Sequence, residues 1–60
     1  MYSELDFNVN DAVAWEGISK TEYGLVAEEN GVKIVKDDAG HAFRLSDMFT
    51  SKSFRKLSVK

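Results

Sequence analysis

The chain contains no cysteine, no proline and a single histidine. Without cysteine there is no disulfide and no thiolate metal site, and His41 alone cannot found a histidine-rich one. Without proline, no stretch reads as a stiff linker. Every apolar run falls short of the roughly 18 residues that cross a bilayer. The opening MYSELDFNVN lacks a basic stretch followed by an apolar one, so it does not read as a secretory signal. These absences lead us to expect no metal, no cofactor, no membrane and a cytoplasmic setting.

Catalytic groupings are missing as well. His41 follows Gly40 and reads as a turn residue; six serines are present, yet nothing supplies an orienting acid or an oxyanion hole. Asp37-Asp38 and Glu28-Glu29 are neighbours in sequence. On an extended chain each pair points to opposite sides and shares neither a proton nor a metal. The glycines at 17, 24, 31 and 40 are spaced as turn punctuation, not as a phosphate loop. We therefore expect a non-enzyme, with no catalytic residue to name.

What the chain does have is the composition of a folded domain, 43% apolar and 30% charged. Its 60 residues make one small domain. A chain of this length buries only about 60% of its unfolded surface, so its stability is marginal. Idealised local structure or self-association must then stand in for disulfides and metals, and a homo-oligomer is one expectation. The net charge of −2 hides an asymmetry: residues 1–49 hold ten acids and four bases, whereas residues 50–60 hold Lys52, Arg55, Lys56 and Lys60 and no acid. Such a split is a hint of a charged partner.

Apolar residues recur mostly at a spacing of two, the period of strands. In LDFNVNDAVAW the odd positions Leu5, Phe7, Val9, Val13 and Trp15 carry the apolar side chains, predicting strands near 4–9 and 12–16 with a bend at Asn10-Asp11. EGISKTE is a loop. Asn30-Gly31 is the strongest hairpin signal, because a type I′ turn needs positive φ at both central residues. That turn sets Glu29 opposite Val32, Glu28 opposite Lys33, Ala27 opposite Ile34 and Val26 opposite Val35. It predicts an opposite-charge pair between Glu28 and Lys33 and an apolar face of Leu25, Ala27, Val32 and Ile34. Asp37 to Gly40 make the next turn, followed by a strand through Leu45. SDMF reads as one helical or 3-10 turn capped by Ser46, and SFRKLSVK as a closing strand with a frayed end. The fold expected is all-β: a small five-stranded Src-homology-type barrel or a curved antiparallel sheet, with a short 3-10 turn before the last strand.

The Val-x-Trp strand (Val13, Trp15), the glycine taken to open the second strand (Gly24, then Val26), the acid-acid-x-Gly turn at Asp37 to Gly40, and Phe43 with Leu45 in the late strand resemble Tudor and KOW modules of that superfold. The resemblance covers about two-thirds of the chain. It implies binding of peptides, modified side chains or nucleic acid. Tudor modules hold methylated cations in an aromatic cage, and the sequence does not show which aromatics would build one here.

The leading functional expectation is a non-enzymatic adaptor or regulator, of the size typical of phage- or plasmid-encoded proteins, docking on a larger protein with a basic surface. Its candidate contacts are Tyr23, Glu28, Glu29, Asp37, Asp38 and Arg44, since an acidic body steers toward a basic partner. The alternative is a nucleic-acid-binding barrel using Lys52, Phe54, Arg55 and Lys56, a basic-aromatic mix suited to phosphates and stacked bases. A third reading of the same basic segment is internal: it lies beside acidic residues of its own body. Trp15 is read as core or as a partly exposed platform.

Overall fold

The computed structural model describes residues 2–57; the expected roles of Val59 and Lys60 at the chain's end lie outside them. Five antiparallel strands form one sheet: β1 (Ala12–Glu16), β2 (Thr21–Glu29), β3 (Val32–Asp37), β4 (Ala42–Arg44) and β5 (Arg55–Lys56). The spatial order is β4-β3-β2-β1-β5. The sheet is curved and open, so of the two expected forms it is the curved antiparallel sheet, not a closed barrel. A single turn of α-helix, α1 (Leu45–Met48), precedes β5.

The Asn30-Gly31 hairpin takes the expected register, with Val26 opposite Val35 and Glu29 opposite Val32. Both turn residues have positive φ, 54° at Asn30 and 79° at Gly31, a backbone that glycine and asparagine adopt with least strain. The bend after Val9 is also present, with Asn10 at φ 80°.

Four expectations are corrected. Residues 4–9 are not a strand: Glu4–Asp6 form a 3-10 turn. Ser3 N–H donates to Asp6 Oδ2 at 2.8 Å, a local bond that an extended chain would break. Leu5 is 91% exposed, and Phe7 alone of the Leu5, Phe7 and Val9 set is buried. Of the two forms expected for the turn before β5, it is the α-helical one and not the 3-10 one; Arg44 and not Ser46 holds the N-cap position, without a side-chain cap bond, and Ser46 lies within the helix. Leu45 opens that helix and is fully buried. Gly24 is the fourth residue of β2, not its first.

The core lies on the concave face of the sheet. Val13, Val26 and Val35 point into it, and Leu45, Met48, Phe54 and Phe7 close it from below. Leu25, Ala27, Val32 and Ile34 do share a face, but it is the outer one: Ile34 on it is buried, while Leu25 is 52% exposed and Val32 is also exposed. Val26 and Val35 win the interior because α1 and the N-terminal segment cover their side. Phe7 reaches the core from outside the sheet, with ring centroids 5.8 Å from Phe49 and 5.6 Å from Phe54. Two lysines hold its segment down. Lys33 Nζ donates to the carbonyls of Phe7 (2.6 Å) and Glu4 (3.1 Å), and Lys56 Nζ donates to the carbonyl of Asp6. Lys33 is thus spent on backbone carbonyls rather than on the expected partner Glu28.

Candidate functional site

Two concavities lie on either side of the β3–β4 turn. The first is a cleft of about 440 Å³ between the β1–β2 loop and that turn. Trp15 from β1 and Phe43 from β4 form its floor, their rings edge to face with centroids 6.0 Å apart. The His41 ring stands 6.4 Å from Phe43. Glu22, Asp37 and Asp38 line the walls, and Lys20 and the fully exposed Ile18 sit on the loop side. Three carboxylates against one lysine make the cleft acidic.

Asp37 holds this cleft in shape. Its Oδ1 accepts from the backbone N–H of Ala39 (3.0 Å) and of His41 (2.8 Å), and Oδ2 lies 3.3 Å from His41 Nδ1. The side chain is only 8% exposed. Burial pushes its carboxyl up, but the amides and the His41 ring outweigh that, and its pKa lies below the ordinary carboxylate value. Asp37 therefore serves the turn, while the exposed Asp38 presents its charge to solvent.

The second concavity is a shallower groove of about 260 Å³ on the outer face, lined by Ala12, Tyr23, Leu25 and Leu57, with Lys36, Asp37 and Asp38 at its border. Asp37 and Asp38 are common to both hollows.

The structure brings Tyr23, Asp37 and Asp38 together around the groove. It does not bring the other expected protein contacts to them. Glu28 and Glu29 lie at the Asn30-Gly31 end of the β2–β3 hairpin, whereas Gly24 pairs with Asp37 at the other end. Glu29 is engaged by Lys36 at 3.2 Å. Arg44 lies on β4 opposite Ile34, exposed on the outer face.

Among the residues expected to meet nucleic acid, Phe54 is buried at 5% exposure and offers no face to a base. Arg55 donates to Glu16 Oε2 at 3.2 Å and to the carbonyl of Ser53. Lys56 lies 3.8 Å from Asp11 and 5.2 Å from the centre of the Phe7 ring. Lys52 is exposed beside Phe49 and Tyr2. The basic segment is largely turned inward onto acidic and carbonyl groups of its own body.

Sequence reasoning left Trp15 between core and platform, and the fold makes it both: packed against the core and lining the cleft. It missed Phe43, His41 and Glu22 as neighbours of Trp15. Among the described residues no three or more His, Asp or Glu side chains cluster as metal ligands would, and no helix is long and apolar enough to cross a membrane. No family model, curated protein or solved structure matches the chain.

Proposed function

We propose that the chain is a non-enzymatic protein-binding module, a small cytoplasmic adaptor or regulator that takes a basic side chain of a larger partner into the Trp15–Phe43 cleft. The observation that carries this is the pairing of an aromatic floor with acidic walls at one site. A lysine or arginine entering it meets the Trp15 and Phe43 rings for a cation–π contact, about 0.5–2 kcal/mol. It also meets the carboxylates of Glu22 and Asp38. The acidic balance of residues 1–49 adds steering toward a basic surface. The helical turn before β5 and the tight central hairpin support the likeness to Src-homology-type small barrels, and the aromatic cleft adds to the Tudor-like reading.

The nucleic-acid reading has less to rest on, because Arg55 and Lys56 already have acidic or carbonyl partners and Phe54 is buried.

The test is an NMR titration of the ¹⁵N-labelled protein with short peptides carrying one lysine or one arginine, with glutamate and leucine peptides as controls. Shifts concentrated at the Trp15 indole N–H, Glu22, Asp38 and Phe43, weakening as salt is added, are the expected result. Equal responses to the acidic and basic peptides, or shifts centred on the hairpin tip at Glu28 and Glu29, would refute the reading.

A further inference from the structure

The open sheet leaves two edge strands, β4 and β5, and they are finished differently. At β5 the Leu57 N–H donates to the Ala12 carbonyl at 2.8 Å, so the neighbouring Lys56 N–H turns away from β1. There it meets the Tyr2 hydroxyl at 3.4 Å, which gives that edge a partner. At β4 the Asp37 N–H donates to the His41 carbonyl at 3.0 Å, and this sets the alternation of the ladder. Phe43 exchanges its backbone bonds with Val35, while the N–H and C=O of Ala42 and the N–H of Arg44 point away from β3. Among the described residues no other backbone segment bonds to them, and Ala42, Phe43 and Arg44 are all exposed. Unpaired backbone groups along an exposed edge are a template for one more strand.

Side-chain positions say what that strand carries. In a chain laid antiparallel to β4, the residues opposite Ala42 and Arg44 bond to them. The residue between stands opposite Phe43, about 4.5 Å away between Cα atoms, with its side chain on the same concave side. Phe43 is part of the cleft floor, so this position opens onto Trp15, Glu22 and Asp38. A lysine or arginine there lays its stem along the ring and extends its charge toward the acidic walls. The residue before it faces Arg44 on the outer side, where an acidic or neutral side chain is favoured over a second base. A second copy of the chain fits less well. Paired through β4 about a two-fold axis, it would set its own Phe43, an uncharged ring, at the position over the acidic cleft.

We propose that the chain captures an extended segment of its partner by strand addition to β4, with a single lysine or arginine of that segment placed over the Trp15–Phe43 cleft. This rests on the cleft-binding reading above and deepens it: the cleft selects the basic side chain, and the edge supplies main-chain bonds and a direction.

Lysine-centred peptides of about seven residues, an ordinary strand length, test it. They are titrated into the ¹⁵N-labelled full chain and followed by NMR shifts and amide hydrogen exchange. The expected result is a shift of the Trp15 indole N–H together with slowed exchange at the Ala42 and Arg44 amides. Methylating the amide nitrogen of the residue after the lysine, whose N–H meets the Ala42 carbonyl, is expected to weaken binding about tenfold. Methylating the lysine's own amide, which points away from β4, is expected to leave binding close to that of the unmethylated peptide. Butylammonium, a lysine side chain without a backbone, separates the two readings: it should shift Trp15 without slowing Ala42 or Arg44. Trp15 shifts from butylammonium and peptide alike with no protection at β4, or equal losses from the two methylations, overturn strand addition and leave the cleft reading standing. A Trp15 that responds to neither ligand overturns both. Protection of Ala42 and Arg44 that grows with protein concentration in the absence of peptide assigns the edge to a second copy and overturns the proposal.

Discussion

Trp15 and Phe43 meet edge to face at 6.0 Å although β2 and β3 lie between their strands in the sheet. On a flat sheet three strand spacings would hold β1 and β4 about 14 Å apart. Curvature brings the two rings together over the concave side, and the acidic β3–β4 turn completes the cleft. Because Phe43 is 38% exposed and stands outside the core cluster, its loss should cost binding more than folding. We expect Phe43→Ala to weaken the response to lysine peptides several-fold while the urea midpoint changes little. Asp38→Lys should weaken it further, since it reverses a wall charge. Peptide titrations alongside urea unfolding check both, and a Phe43→Ala protein that binds as the parent does would remove the ring from the site.

Lys33 gives a second prediction. Its ammonium donates to two carbonyls of the N-terminal segment, one of them on the fully buried Phe7. Hydrogen bonds from a charged donor are worth more than neutral ones, so Lys33→Met, which keeps the apolar stem, should cost about 1–2 kcal/mol. Glu28→Ala, at the cross-strand neighbour that Lys33 does not engage, should stay within about 0.5 kcal/mol. Chemical denaturation of the two variants decides it. Equal losses would restore the Glu28–Lys33 pair.

The hairpin was legible in the sequence to the residue because Asn30-Gly31 admits one short turn, and a two-residue turn admits one register. The first strand was misread for the opposite reason. Leu5, Phe7 and Val9 alternate as strand residues do, but alternation carries information only when a neighbouring strand covers one face. Here local bonds between Ser3 and Asp6 win, and Phe7 alone turns inward. Which face of β2 and β3 is buried was likewise invisible, since both faces carry aliphatic residues and the choice is made by α1 and Phe7 packing from afar. The cleft could not be read because its members come from three elements joined only by the curvature. The turn at Asp37 was legible, but its partnership with Trp15 was not.

Gly24 sits within β2, opposite Val13 of β1 and Asp37 of β3. A Cβ built there would lie 2.8 Å from both the Lys36 carbonyl oxygen and Val35 Cγ1. The first contact is backbone and cannot swing aside. Gly24→Ala should therefore push β2 and β3 apart and destabilise the protein by about 1–3 kcal/mol. Gly31→Ala has open space around it but must hold φ at +79°, at a cost of about 1–2 kcal/mol. Thermal unfolding of both checks this. An unchanged midpoint for Gly24→Ala would mean the strands are not held as close as described.

The acid limb of stability should report Asp37. Its folded pKa lies below the unfolded value of about 3.9. A depressed carboxyl contributes stability that is present above its unfolded pKa and is lost as pH falls through the folded one. The stability that the Asp37 charge contributes should thus be present from neutral pH down to about pH 5 and be lost below about pH 4. Asp37→Asn should be less stable than the parent at pH 7, and the gap should close as the pH drops toward 3. A gap that stays constant over that range would show that the turn depends on the shape of the side chain and not on its charge.

The basic segment sets the last prediction. Four cations near the chain's end would give weak, salt-sensitive binding to a polyanion if they were free, because each phosphate neutralised releases a counterion. Arg55 and Lys56 are not free: Glu16, Asp11 and the Asp6 carbonyl already hold them, and a phosphate would have to displace those partners. It would also have to approach a body in which acids outnumber bases. We therefore expect fluorescence anisotropy to show no binding of short single- or double-stranded oligonucleotides at micromolar protein, at low or moderate salt. Glu16→Ala releases Arg55 and is the variant most apt to gain affinity. Salt-dependent binding by the parent, lost on Lys52→Ala and Lys56→Ala, would move the function from the acidic cleft to the opposite charge of the same small molecule.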